Sequence, residues 1–245
     1  MPRPRPVTVD LPSEIGVHDG LAYSLWMPQT ASRPPAGVIL LHGAGSCKEN
    51  HHDFARAAKG SGLGAIAFDQ RGHGESQSPM DGRALDDVVA MADLLRARTG
   101  GDASVQIALR GSSMGGYLAL VSAAAAGAGA VVAICPAGAE GLRRGLAEGR
   151  FSFEADAPAL DAFLDAHDER EAIASLEAPV LLLHAEGDEQ VPVEQSRELA
   201  VLTRSSRSRL IAVPGGHHRS VQHDPDLQAV SLRFIERCLR SPDDR

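Results

Sequence analysis

Short apolar runs alternate with longer amphipathic stretches along nearly the whole chain. Val38 to Leu41, Leu63 to Phe68, Val105 to Leu109, Ala130 to Ile134, Pro179 to His184 and Leu210 to Val213 are compact and rich in β-branched or aliphatic residues. They lack the strict polar alternation of a half-exposed strand, which predicts strands covered on both faces. The intervening stretches predict helices near Glu49–Lys59, Leu85–Ala97, Gly115–Ala126, Glu194–Val201 and Pro225–Leu239, the second set off by Asp81-Gly82. Val7–Leu11 and Leu21–Met27 read as opening strands, paired antiparallel across a His18-Asp19-Gly20 turn. Repeated strand-then-helix units predict one α/β domain over residues 1–245, a mostly parallel eight-stranded sheet with helices on both faces.

One stretch breaks the rhythm. Residues 137–177 lie between two sheet strands and are too long for a simple crossover. Leu160, Phe163, Leu164 and His167 recur there at helical spacing, which predicts a small helical cap. Phe151, Phe153 and Phe163 are half of the six phenylalanines in the chain. They either glue the cap to the core or wall a substrate pocket.

The run Val105–Leu109 ends in Gly111-Ser112-Ser113-Met114-Gly115, followed by an alanine-rich helical stretch. A tight strand-to-helix turn of this kind lifts a serine hydroxyl clear of a sheet edge, and a Cβ at either glycine would collide with neighbouring backbone. Ser113 is the candidate nucleophile. An alcohol is a poor nucleophile near neutral pH, so it needs a base and a group that orients the base. Asp188 follows the strand Pro179–His184, and His217 and His218 follow the strand Leu210–Val213. All three chemistries thus fall just after strand C-termini, where parallel sheets place their sites.

Other segments complete a likeness. Val38-Ile39-Leu40-Leu41-His42-Gly43-Ala44-Gly45 and Phe68-Asp69-Gln70-Arg71-Gly72-His73-Gly74-Glu75-Ser76 join the serine turn in a chain that resembles the α/β-hydrolase superfamily. The resemblance is nearest to its monoacylglycerol-lipase-like and carboxylesterase-like serine hydrolases and spans the chain from about Val38 to the last helix. It implies the α/β-hydrolase fold, a Ser113, Asp188, His218 triad, and an oxyanion hole made by the N–H groups of Ala44 and Met114. His218 stands three residues after Gly215, the spacing common in relatives; His217 is the alternative base. The resemblance implies no cofactor and a small-molecule ester as substrate. The same triad also serves thioesterases, C–C hydrolases and perhydrolases, and a ligand sensor on this fold can retain it. Asp at the elbow, as in dehalogenases and epoxide hydrolases, is not what this chain carries, nor is the Cys of dienelactone hydrolases. In the family the Asp69 to Ser76 stretch mostly braces the loop beside the site.

Charge and cysteines narrow the classes further. A net charge of −8 and a pI near 5.7 disfavour nucleic-acid or anionic-membrane partners. Arg143-Arg144 and the arginines from 204 to 209 read as solvated clusters. Cys47, Cys135 and Cys238 are odd in number and far apart, which predicts free thiols and a cytoplasmic setting. Met1–Pro6 is basic with no apolar run behind it, so the expectation is a short loose leader without an export signal or membrane span. His51, His52, His217, His218 and His223 lack any metal-ligand spacing, so no metal is expected. Gly43-Ala44-Gly45 lacks the G-K-S/T that a phosphate loop needs. Oligomeric state is not encoded in any of these features.

Overall fold

A computed structural model describes residues 9–29, 35–101 and 105–239. Its centre is an eight-stranded sheet built from β1 (Glu14–His18), β2 (Leu21–Trp26), β3 (Ala36–Leu41), β4 (Gly64–Phe68), β5 (Gln106–Ser112), β6 (Ala128–Ile134), β7 (Val180–Ala185) and β8 (Arg209–Val213). The strands lie in the order β1-β2-β4-β3-β5-β6-β7-β8. β2 pairs antiparallel with both β1 and β4, and every other pairing is parallel.

The helices are α1 (His52–Gly60), α2 (Ala84–Thr99), α3 (Met114–Ser122), α4 (Ala139–Ala147), α5 (Ala157–Ala166), α6 (Glu169–Ser175), α7 (Val193–Leu202), α8 (Ser220–His223) and α9 (Pro225–Leu239). Successive residues of each central strand serve opposite layers. Ile39, Leu41, Ile107 and Leu109 pack toward α2, α3 and α7, whereas Val38, Leu40, Val132 and Leu183 pack toward α1 and α9. Both layers exclude water, which is why these strands are apolar at most positions rather than at every second one, the buried Arg110 and His184 being exceptions.

The opening strand departs from expectation. Val7–Leu11 is not the strand: residues 7 and 8 lie outside the described set, as does the leader Met1–Pro6, and residues 9–11 have no regular structure. The partner of β2 is Glu14–His18, joined to it through Asp19 and Gly20, both at positive φ (50° and 80°). That two-residue turn sets the register and overrides the apolar pattern. Ile15 and Val17 end up 69% and 59% exposed, while Gly16 leaves room for the Tyr23 ring. Among the described residues, no helix is long and apolar enough to cross a membrane.

Between β6 and β7, three helices (α4, α5 and α6) lie over the sheet. α5 buries Leu160, Phe163 and Leu164 against the layer that contains Tyr117 of α3. The Tyr117 hydroxyl donates to the His167 carbonyl at 2.6 Å, and Met80 N–H donates to the Glu154 carbonyl at 2.8 Å, which stitches the loop before α5 to the core. Gly72 is required there, at φ 75°, because a Cβ would stand 1.9 Å from the Glu154 carbonyl oxygen.

Candidate functional site

β5 runs straight into Ser113, and α3 begins at the next residue. Ser113 sits at φ 54°, ψ −120°, a region that L residues avoid and that costs on the order of 1–3 kcal/mol. The neighbours leave no alternative. A Cβ on Gly111 would meet the Gly115 carbonyl oxygen at 1.9 Å, and one on Gly115 would meet the Leu41 and His42 carbonyl oxygens at 2.3 and 2.5 Å. Backbone therefore touches backbone on both sides of the turn. The Ser113 N–H donates to the Ile134 carbonyl at 2.9 Å, tying the elbow to β6.

The loop after β3 lies against the serine. A Cβ on Gly43 would be 3.2 Å from Ser113 Cβ and 3.8 Å from its Oγ. Ala44 follows and lines the same cavity. Met114 is the first residue of α3, so its N–H has no partner within the helix. The segment after β4 braces this loop: Gln70 N–H donates to His42 Nε2 at 3.0 Å, and Gly45 N–H donates to His73 Nε2 at 3.1 Å. Each histidine is fixed as the Nδ1–H tautomer by a backbone carbonyl, Gly43 for His42 (2.8 Å) and Arg71 for His73 (2.9 Å). Burial, and then the neighbouring His73, push His42 down to about 4, so the ring stays neutral and keeps accepting from Gln70. Asp69 accepts from Lys48 N–H and Nζ, both at 2.7 Å, and Arg71 pairs with Asp87 at 2.8 Å.

On the far side of the serine, Asp188 Oδ2 accepts from His218 Nδ1 at 2.7 Å. Asp188 Oδ1 accepts the N–H groups of Gln190 (2.8 Å) and Val191 (2.9 Å). Burial alone would raise this carboxyl, but the Val191 N–H, the His218 ring and the Gln190 N–H outweigh it and hold it below the usual range. His218 is buried, and its N–H donates to Glu189 at 3.2 Å. His217 is exposed; its ring accepts from Arg219 N–H. The structure therefore joins His218, and not His217, to Asp188.

Two further side chains converge on Asp188 that no sequence pattern singled out. His184, at the end of β7, donates from Nε2 to the Val191 carbonyl at 2.9 Å and lies 3.3 Å from Asp188 Oδ2, while Nδ1 accepts from Ser196 at 2.7 Å. A histidine closing an apolar strand four residues before the acid was the only hint. Cys135, at φ 42°, has its buried thiol pushed up to about 12 by desolvation, so it stays protonated beside the carboxylate. Cys135, Asp188 and His218 offer ligand atoms within 4.8 Å of one another, the one such trio among the described residues. Within that trio Asp188 Oδ2 and His218 Nδ1 are already bonded to each other. All three cysteines are free thiols.

Ser113, Ala44 and His218 open onto a cavity of about 720 Å³. The cap supplies much of its wall, and here the aromatic reading needs correction. Phe151 lines the cavity; Phe153 and Phe163 do not. Phe153 is stacked between His73 (4.2 Å) and Phe151 (5.1 Å), and Phe163 is buried and stacked on His167 (4.3 Å). Both instead border a void of about 10 Å³ beside Met114. They sit where α5 must bury its apolar stripe, so packing claims them first. Arg144, in contrast, lines the cavity, whereas Arg143 pairs outward with Asp161 and Asp165.

A family model described as serine aminopeptidase, S33, matches residues 32–149. An uncharacterized protein of Mycobacterium tuberculosis is 28% identical over 229 residues, which cover 92% of this chain and 77% of that protein. The uncharacterized protein YfhR of Escherichia coli is 26% identical over 218 residues, covering 84% and 72% respectively. Among solved structures, Est1E from Butyrivibrio proteoclasticus with ferulic acid bound superimposes with a TM-score of 0.70 at 19% identity, over 93% of this chain and 98% of that one. The monoacylglycerol lipase of Paleococcus ferrophilus gives 0.67 at 20% identity, over 89% and 98%. With its single reversed strand at the second position, its glycine-walled serine turn and these structural matches, the chain has the α/β-hydrolase fold, and its residues 32–149 are similar to the serine aminopeptidase, S33, family.

Proposed function

We propose that this protein is a serine hydrolase that cleaves carboxylic esters of short to medium acyl chains through an acyl-enzyme intermediate. Ser113 attacks the ester carbonyl, His218 takes its proton and returns it to the leaving alcohol, and Asp188 holds the imidazole with Nδ1 protonated. The N–H groups of Ala44 and Met114 receive the oxyanion. Water then cleaves the acyl-enzyme by the same steps in reverse. The observation that carries this reading is the 2.7 Å bond between His218 Nδ1 and the covered carboxylate of Asp188, on a cavity that also exposes the strained Ser113. Strain at a residue that makes no turn by itself is expected where geometry serves chemistry. Apolar lining is limited to a few side chains such as Phe151 and Leu142, which supports acyl chains of roughly two to eight carbons.

The test is a serine-reactive phosphonate together with an aryl acetate. One adduct is expected, on Ser113, and Ser113→Ala and His218→Ala should each lower kcat by about 10⁴ to 10⁶, because the pair acts as a unit. His217→Ala should cost only a modest factor. Labelling of Ser112, or full turnover by Ser113→Ala, would overturn the assignment.

A further inference from the structure

Several charged side chains around the cavity are unused by the chemistry above. The chain as a whole carries −8, yet four arginines from separate parts of the fold line this one cavity: Arg144 on α4, Arg150 after it, Arg170 on α6, and Arg219 beside His218. Two of them are engaged elsewhere. Arg150 pairs with Glu148 at 2.5 Å, and Arg170 with Glu198. The guanidinium groups of Arg144 and Arg219 have no carboxylate partner among the described residues.

The acids on the same wall do not cancel them evenly. Glu169 is buried and fully occupied, accepting from Ala139 N–H at 3.0 Å and from Gln195 at 2.8 Å. Glu189 accepts the His218 N–H. That leaves Glu140, one turn before Arg144, as the acid on this wall without a hydrogen-bond or ion-pair partner among the described residues, against two such arginines. The first turn of α4 also faces the cavity through Gly138, Glu140 and Gly141, but its end is already met by Glu169, so the two arginines carry the positive side alone. Exposed arginines usually extend into water and do nothing specific. Here two elements distant in sequence converge on the space around a candidate nucleophile, and a guanidinium fork matches a carboxylate in both charge and shape.

We infer that the substrate is an anionic ester, one whose acyl or alcohol half carries a carboxylate that Arg144 and Arg219 receive. The inference rests on the ester-hydrolase reading above and narrows its substrate class. An anion bound this way is held in the ground state and the transition state alike, so its effect falls mainly on KM.

The experiment compares matched esters with the intact protein. On the acyl side, the 4-nitrophenyl monoester of succinate is set against 4-nitrophenyl pentanoate; on the alcohol side, 4-acetoxybenzoate is set against 4-acetoxybenzamide. We expect kcat/KM to favour the anionic member of one pair by about tenfold at low salt, and the pair that responds tells which half carries the charge. Raising salt from about 0.01 M to about 1 M, which shortens the screening length from about 30 Å to about 3 Å, should shrink that ratio. In the double variant Arg144→Gln, Arg219→Gln the ratio should fall to about one. Turnover of the neutral esters with no anionic preference in either pair overturns this inference and leaves the hydrolase reading standing, as does a preference that survives the double variant. Absence of turnover on all four esters, with Ser113 unlabelled by the phosphonate, overturns both.

Discussion

Asp188→Asn is a sharp test because the structure dictates how the new amide must sit. Oδ1 accepts two backbone N–H groups, from Gln190 and Val191, and only an oxygen can do so. The amide nitrogen is thereby forced to the Oδ2 position, 2.7 Å from His218 Nδ1. There it donates to Nδ1, which must surrender its hydrogen. The ring proton then resides on Nε2, the nitrogen that the proposed mechanism needs free to accept the Ser113 proton. His184 loses a weak neighbour at 3.3 Å but keeps the Val191 carbonyl at 2.9 Å, so the fold has little reason to change. A tautomer reversed in this way costs about 10⁴-fold in kcat, or about 5 kcal/mol of transition-state stabilisation. The assay is steady-state hydrolysis of an aryl acetate, with circular dichroism and thermal midpoint as controls for folding. The phosphonate labelling rate at Ser113 should fall in parallel. A folded Asp188→Asn protein that retains more than about a tenth of the wild-type kcat would refute the argument, since the base would then not depend on this carboxylate for its tautomer.

Other consequences follow from the same geometry. Gly111→Ala places a Cβ 1.9 Å from the Gly115 carbonyl oxygen and should cost more than about 4 kcal/mol by urea unfolding or prevent folding, whereas Gly60→Ala, with nothing within 4 Å, should be neutral or slightly stabilising. His42 illustrates a pH effect: its folded value of about 4 lies below its ordinary 6.5, so the unfolded chain binds the extra proton, and its contribution is complete above about 6.5 and lost as pH falls toward 4. His51, held well below its ordinary value by burial and then by Arg110, acts in the same direction. The urea midpoint should drop steadily from pH 7 to pH 5, and a flat profile would contradict the buried neutral rings. Phe163→Ala should cost about 3–5 kcal/mol of stability with an unchanged acyl-chain profile, while Phe151→Ala should shift the chain-length optimum; the opposite pattern would return Phe163 to the cavity wall.

Much of this molecule is written locally in its residues. The central strands are continuous apolar runs because helices cover both faces, and their type could be read without any coordinates. The serine turn was equally legible, since Gly111 and Gly115 are needed where backbone meets backbone. The terminal helix matched its expected bounds, Pro225–Leu239, because Pro225 marks its start and its amphipathic period runs unbroken. Ser113, Asp188 and the pair of histidines could be named because each lies just past a strand end. The spacing from Gly215 favoured His218 over His217 only through the family resemblance; the physical reason is the path of the chain after Gly215 and Gly216, both at positive φ, which buries one ring and exposes the other. The first strand was misplaced because its position follows from the Asp19-Gly20 turn, not from where the apolar residues fall. For a related reason the sequence left open whether Phe153 and Phe163 pack the cap or wall the pocket, and did not show that the solvated Arg144 borders the cavity. A side chain's periodicity says which residues share a face, but what that face meets depends on elements far away in the chain. The packing of α5 onto α3 took two phenylalanines away from the cavity, and the placement of α4 turned an arginine into it.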